Sequence, residues 1–166
     1  MSVSAEAAGG VIVRFNVVAT AIFAISAVTA AVVFDGPAMT IAAVVSLVLF
    51  FTGIVAFLWS FWNAVQRSRG EQVAVTQLYL LTGDVAPRRV RTTMWLALAV
   101  QCVVGLGTAI ARPNAADGSP GNSLALGVLV PILGFGLNGL WAAFHGRYRE
   151  RVADKAPSID QNEHHG

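Results

Sequence analysis

Four stretches of the chain, 15–34, 38–62, 93–111 and 123–144, contain no Asp, Glu, Lys or Arg and are built mostly from Ala, Val, Leu, Ile, Phe and Gly. A helix needs about 20 such residues, at about 1.5 Å rise each, to cross roughly 30 Å of hydrocarbon. Lipid offers no partner to a free backbone N–H or C=O, so a spanning segment is either helical or part of a closed barrel. Continuous apolarity without period-two alternation selects helices. The expected fold class is therefore an all-α integral membrane protein with four transmembrane helices. Only 12% of residues are charged and 55% are hydrophobic, against about one quarter charged in ordinary globular chains, which excludes a typical water-soluble domain.

The connections arrange the four helices as two antiparallel hairpins. Asp35-Gly36-Pro37 leaves room only for a tight turn between the first two stretches, and RPNAADGSPGN over 112–122 is a turn-forming loop between the last two. One transmembrane domain over 1–152 is expected, with a connection at 63–92 and a disordered tail at 153–166. The first run, about 20 residues, exceeds the 7–15 of a signal-peptide core and is read as a retained span.

Basic residues orient the bundle. Arg14, Arg67, Arg69, Arg88, Arg89, Arg91, Arg147, Arg149, Arg151 and Lys155 fall on one side and Arg112 alone on the other. The positive-inside rule then places both termini and the 63–92 connection in the cytoplasm. Trp59, Trp62, Trp95 and Trp141 cluster at that same side, where amphipathic rings favour the headgroup level. Because the cations sit beside apolar runs, they read as topology determinants at the membrane surface and not as a nucleic-acid footprint.

Within the connection, Glu71 to Thr82 suits a short interfacial helix, with Ala74, Leu78 and Leu81 on one face and Gly83 to stop it. Metal and redox sites find little support. Cys102 is the one cysteine, and His164 and His165 are adjacent on the tail, too few preorganised ligands for a metal. No cofactor is expected.

Inside the spans the polar residues are neutral, among them Asn16, Thr20, Thr52, Gln101, Thr108 and Asn138. Counted from the basic side, Gln101 and Asn138 lie at nearly equal depth, within about 3 Å at 1.5 Å per residue. A hydrogen bond between these two amides is therefore expected to join spans three and four. The run GFGLNG from Gly134 to Gly139 matches GxGxxG in form, but that fingerprint requires a strand-to-helix turn in water. Gly134, Gly136 and Gly139, with Gly105 and Gly107 in span three, instead read as helix-packing positions. Pro131 is expected to kink span four.

LWSFWNAVQRSR from Leu58 and LWAAFHGRYRER from Leu140 echo one another at an offset of 82 residues. Two helices leaving one membrane face also require the same aromatic-then-arginine ending, so the echo has an explanation without duplication. APRRVR from Ala86, LALAVQCVVGLGTAIARP, and LALGVLVPILGFGLNGLWAAFHGRY up to Tyr148 together resemble a group of small four-span actinobacterial membrane proteins of unassigned function. The resemblance implies a bacterial plasma-membrane location and transfers no functional residue.

No nucleophile, base or ligand set converges, so the chain does not read as an enzyme. It reads as an accessory or scaffold subunit of a larger membrane complex, with the bilayer and other membrane subunits, or copies of itself, as partners. The alternative is an oligomeric small transporter or channel for a neutral or lipophilic solute, because ionisable groups that move ions or protons are absent from the charge-free stretches.

Overall fold

The computed structural model describes residues 2–114, 118 and 121–150, the side chains of 2–8 excepted. Helices α1 (Ser2–Val33) and α2 (Gly36–Arg67) come first, followed by a two-residue strand β1 (Glu71–Gln72) and a short helix α3 (Val75–Leu80). Helix α4 (Arg88–Ala111) is next; a 3-10 helix over Ser123–Leu129 then leads into α5 (Pro131–His145), and strand β2 (Arg149–Glu150) closes the described chain. Four helices are long and apolar enough to cross a membrane, over Gly9–Val33, Gly36–Arg67, Arg88–Ala111 and Ser123–His145. This fits an all-α membrane protein. The helices outrun the charge-free stretches because backbone pairing continues where apolarity stops, so α1 begins before Arg14 and α2 runs on to Arg67. Arg151 and the tail 153–166 lie outside the described residues.

The first hairpin closes as its three linking residues dictate. Phe34 turns into the left-handed region at φ 52°, ending α1. Asp35 then caps α2, its Oδ1 accepting the Ala38 N–H at 2.9 Å, and Pro37 occupies the first turn, where a missing N–H leaves nothing unpaired.

Helix α5 is the hub, touching α1, α2, α3 and α4. Half of its span is buried, 50% against 28% to 33% for the other three. Glycine backbones make this closeness possible. A Cβ on Gly53 of α2 would lie 2.5 Å from Leu133 N, and one on Gly105 of α4 would lie 2.5 Å from Gly127 O, distances no side chain tolerates. Gly136 meets Gly53 O and Phe57 N in the same way. Around these contacts pack Met94, Leu133, Leu137, Trp141 and Ala142. The outer surface stays apolar: Ile110 is 76% exposed, Val32 72% and Val103 71%. An apolar exterior of this extent suits lipid.

Two expectations change. Pro131 does not kink one continuous helix; it marks a switch of helix type, the 3-10 segment ending where α5 starts. Proline lacks the donor and crowds the carbonyl four residues earlier, while three-residue pairing avoids that clash, as in Leu133 N–H donating to Val130 O at 2.8 Å. The connection helix is also shorter than 71–82 and packs against the bundle. Residues 71–72 pair antiparallel with 149–150, Glu71 opposite Glu150 and Gln72 opposite Arg149, and Leu81 ends α3 at φ 50°. Leu78, Tyr79 and Leu81 are buried, whereas Ala74 is exposed. The Tyr79 ring stacks on Phe57 of α2 at 4.3 Å, and its hydroxyl donates to Phe57 O at 3.3 Å. That anchor holds α3 against the bundle.

Gly53→Ala is expected to lower unfolding stability in detergent by about 1–3 kcal/mol, the usual overpacking range. Gly107→Ala should not lower the melting midpoint, because nothing from a neighbouring element lies within 4 Å of a Cβ at that position. Thermal denaturation of the two variants beside the parent checks both.

Candidate functional site

The most structured polar feature is a cluster of neutral side chains between α1, α4 and α5. Asn16 and Thr20 stand four residues apart and so share one face of α1. Gln101 of α4 reaches them, its Nε2 donating to Thr20 Oγ1 at 2.7 Å and to Asn16 Oδ1 at 3.2 Å. Its Oε1 accepts the Gly134 N–H at 3.2 Å. Asn16 Nδ2 in turn donates to Met94 Sδ at 3.3 Å. Asn16 and Gln101 are fully buried and Thr20 is 5% exposed.

The cluster answers a defect in α5. The first N–H groups of any helix lack acceptors within it, and this helix starts well inside a span, after about 14 Å of 3-10 helix and with about 22 Å of α-helix still to come. Gln101 supplies an acceptor to Gly134 in the first turn, while its two N–H bonds fasten α1. One carboxamide thereby joins three helices. Gly134 is glycine for the same reason, since a Cβ there would lie 2.7 Å from Gln101 Oε1.

Gln101 and Asn138 do not bond to each other, contrary to the depth argument. Asn138 is fully buried one turn beyond Gly134, and its Nδ2 donates to Tyr79 O at 3.0 Å. The register shifted because α4 starts at Arg88 and α5 runs to His145, so depths counted from charge-free boundaries were not depths in the bundle. Trp95 Nε1 donates to Leu80 O at 3.0 Å, and with Asn138 it satisfies the last carbonyls of α3. Asn138 Oδ1 and Trp141 Nε1 are buried without a partner.

The glycines divide. Gly105 meets the Gly127 backbone, Gly134 meets Gln101 and Leu98, Gly136 meets Gly53 O, and Gly139 meets Ser60 and Tyr79. Gly107 faces open space, because it points away from the face of α4 that carries Gln101 and Gly105. Trp59, Trp62 and Trp95 are exposed at 58%, 63% and 41%. Trp141 is not an outward interfacial ring; at 5% exposure it packs beside Gly9 and His145. Gly9 lets α1 close over it. The echoed Trp59 and Trp141 thus occupy opposite environments.

The arginines also separate by role. Arg67 is half-buried and donates to Ala143 O at 2.8 Å and Gly146 O at 3.2 Å. It pairs with Glu71 at 2.7 Å and lies over the Tyr148 ring at 4.9 Å. It therefore satisfies carbonyls at the end of α5, where a cation also complements the helix dipole. Arg91 donates to Gly83 O at 2.7 Å. At the opposite end Arg112 does for α1 what Arg67 does for α5, donating to Ala31 O at 3.0 Å over the Phe34 ring. Arg69, Arg88, Arg89, Arg147 and Arg149 are exposed.

Burial pushes both tyrosines up: Tyr79 rises despite its Ser60 contact, and Tyr148 reaches about 12 although the Arg67 charge pulls it down. Among the described residues no group of three or more His, Cys, Asp or Glu stands close enough to hold a metal ion. Comparison with protein-family models, curated proteins and solved structures returns no match.

Sequence reasoning missed the partners of Gln101. The four-residue spacing of Asn16 and Thr20 was a readable signal of one polar face, but nothing in the sequence aimed that face at α4. Gly53, Tyr79 and Met94 carried no comparable signal.

A double-mutant cycle between Gln101→Leu and Thr20→Val is expected to show coupling of about 0.6–2 kcal/mol, and one between Gln101→Leu and Asn138→Leu close to none. Denaturant unfolding of each set measures it. An absorbance titration of the two tyrosines should show little tyrosinate at pH 10 in the folded chain and much more on unfolding. Since Tyr148 titrates near 12 when folded and near 10 when unfolded, its burial contributes stability that is whole below pH 10 and is lost as pH rises toward 12.

Proposed function

We propose that this chain is a small four-span subunit of a bacterial plasma membrane, with both termini cytoplasmic, that acts as an accessory or scaffold element of a larger membrane complex. The observation that carries the reading is the inward use of its polar groups. Both donors and the acceptor of Gln101 are engaged by α1 and α5, and Asn138 Nδ2 is engaged by α3. What remains on the outside of the helices is apolar surface. Such a molecule offers rigid shape and hydrocarbon contact, and the reading gives it no catalytic role and no cofactor.

The count of ten basic residues on one side against Arg112 on the other supports the orientation. The bacterial setting is proposed from the sequence likeness of 86–148 alone. A second reading, an oligomeric carrier for a neutral or lipophilic solute, draws on an apolar groove of ≈ 880 Å³ bounded by α1, α2 and α5. Lined by Val11, Phe15, Phe51, Val55 and Leu137 among others, it offers hydrocarbon contact along the bundle's flank. A carrier needs in addition a path through the bundle, where Gln101 and its glycine neighbours pack closely.

Purification from native membranes in mild detergent is expected to retain a defined membrane protein or a homo-oligomer in fixed ratio. A chain that always emerges as a bare monomer counts against the scaffold, and solute flux in proteoliposomes would favour the carrier.

A further inference from the structure

The ≈ 880 Å³ groove follows α2 from Val44 to Trp59, with Val11, Ile12 and Phe15 of α1 as the second wall and Leu137 and Leu140 of α5 as the floor. Its length, fifteen steps along α2, is about 22 Å at 1.5 Å per residue. A groove of that length with an almost wholly apolar lining suits extended hydrocarbon chains. Thr52, the sole hydroxyl in the lining, donates to its own helix at Val48 O, 2.7 Å away, and so presents no donor to an occupant.

The second observation is Arg14. It precedes the groove residue Phe15, stands at the edge of the charge-free stretch 15–34, and is exposed. Among the described residues it has neither an ion pair nor a hydrogen bond. A cation at the edge of the hydrocarbon reaches the headgroups, and a guanidinium is the side chain best matched to phosphate oxygens. Trp59 stands at the same end of the groove, the end at which a headgroup would sit.

We infer that the groove is a binding site for one anionic glycerophospholipid, its acyl chains lying along α2 over Leu137 and Leu140 and its phosphate held by Arg14. This goes beyond the scaffold reading and holds whether or not the chain docks on a larger complex.

The test uses the full chain in detergent with phosphatidylglycerol or phosphatidylcholine added, and native mass spectrometry to count bound lipid. One phosphatidylglycerol should be retained about fivefold better than phosphatidylcholine, the preference expected from a single cation near an anionic group. Arg14→Gln should erase that preference while leaving the phosphatidylcholine adduct in place. Val48→Trp, which fills the groove from an exposed position, should remove both adducts, and Val103→Trp on α4, 71% exposed in the parent, should change neither. Equal retention of the two lipids, an unchanged preference in Arg14→Gln, or a dimer that Val48→Trp dissociates would each overturn the assignment, the last by making this face an interface between copies.

Discussion

A backbone amide without an acceptor has nowhere to turn in hydrocarbon, and the interior of this bundle is organised around one such amide. Pro131 restarts the fourth span partway across, leaving the Gly134 N–H in the first turn of α5. Gln101 accepts from it and uses both of its own N–H bonds on Asn16 and Thr20. The repair of a local backbone defect is thus also the fastening of three helices. It fixes the rotation of α4 about its axis, which then determines that Gly105 meets Gly127 while Gly107 looks outward.

The same economy appears at the two ends. Helix termini leave carbonyls unpaired, and here arginines from neighbouring helices supply the donors. Arg67, from the end of α2, closes α5, and Arg112, from the end of α4, closes α1. Charge that a topology rule counts only by sign is placed by geometry to act on particular carbonyls. Arg69, Arg88, Arg89, Arg147 and Arg149, also at the basic end, stay exposed, and those fit the simpler electrostatic role.

The spans themselves were legible to within a few residues, because absence of charge over about 20 residues reports directly on what lipid permits. The tight first hairpin was legible for a like reason, Asp35 and Pro37 being local signals acting on adjacent backbone. Azimuth and register were not legible. Whether Gln101 faces Asn138 or Thr20 depends on how α4 is rotated and where α5 starts, and near-uniform apolarity around each helix carries little periodic signal for either. The short helix α3 failed for a third reason: its limits follow from β1 pairing with β2 and from Tyr79 inserting beside Phe57 and Gly139, contacts remote in sequence. Trp141 likewise looked like Trp59 from its neighbours in the chain, and only Gly9 distinguishes them.

The hub also comes after the other three spans in chain order. While α1, α2 and α4 already exist, Gly53 and Gly105 face no partner and the Gln101 Oε1 lacks its backbone donor, so the earlier three helices form an unfinished shell with a polar seam open to lipid. Arrival of α5 fills that seam along its whole length, and the Arg67 clamp with the β1–β2 pairing then secures its exit. Closure of the bundle therefore waits for α5.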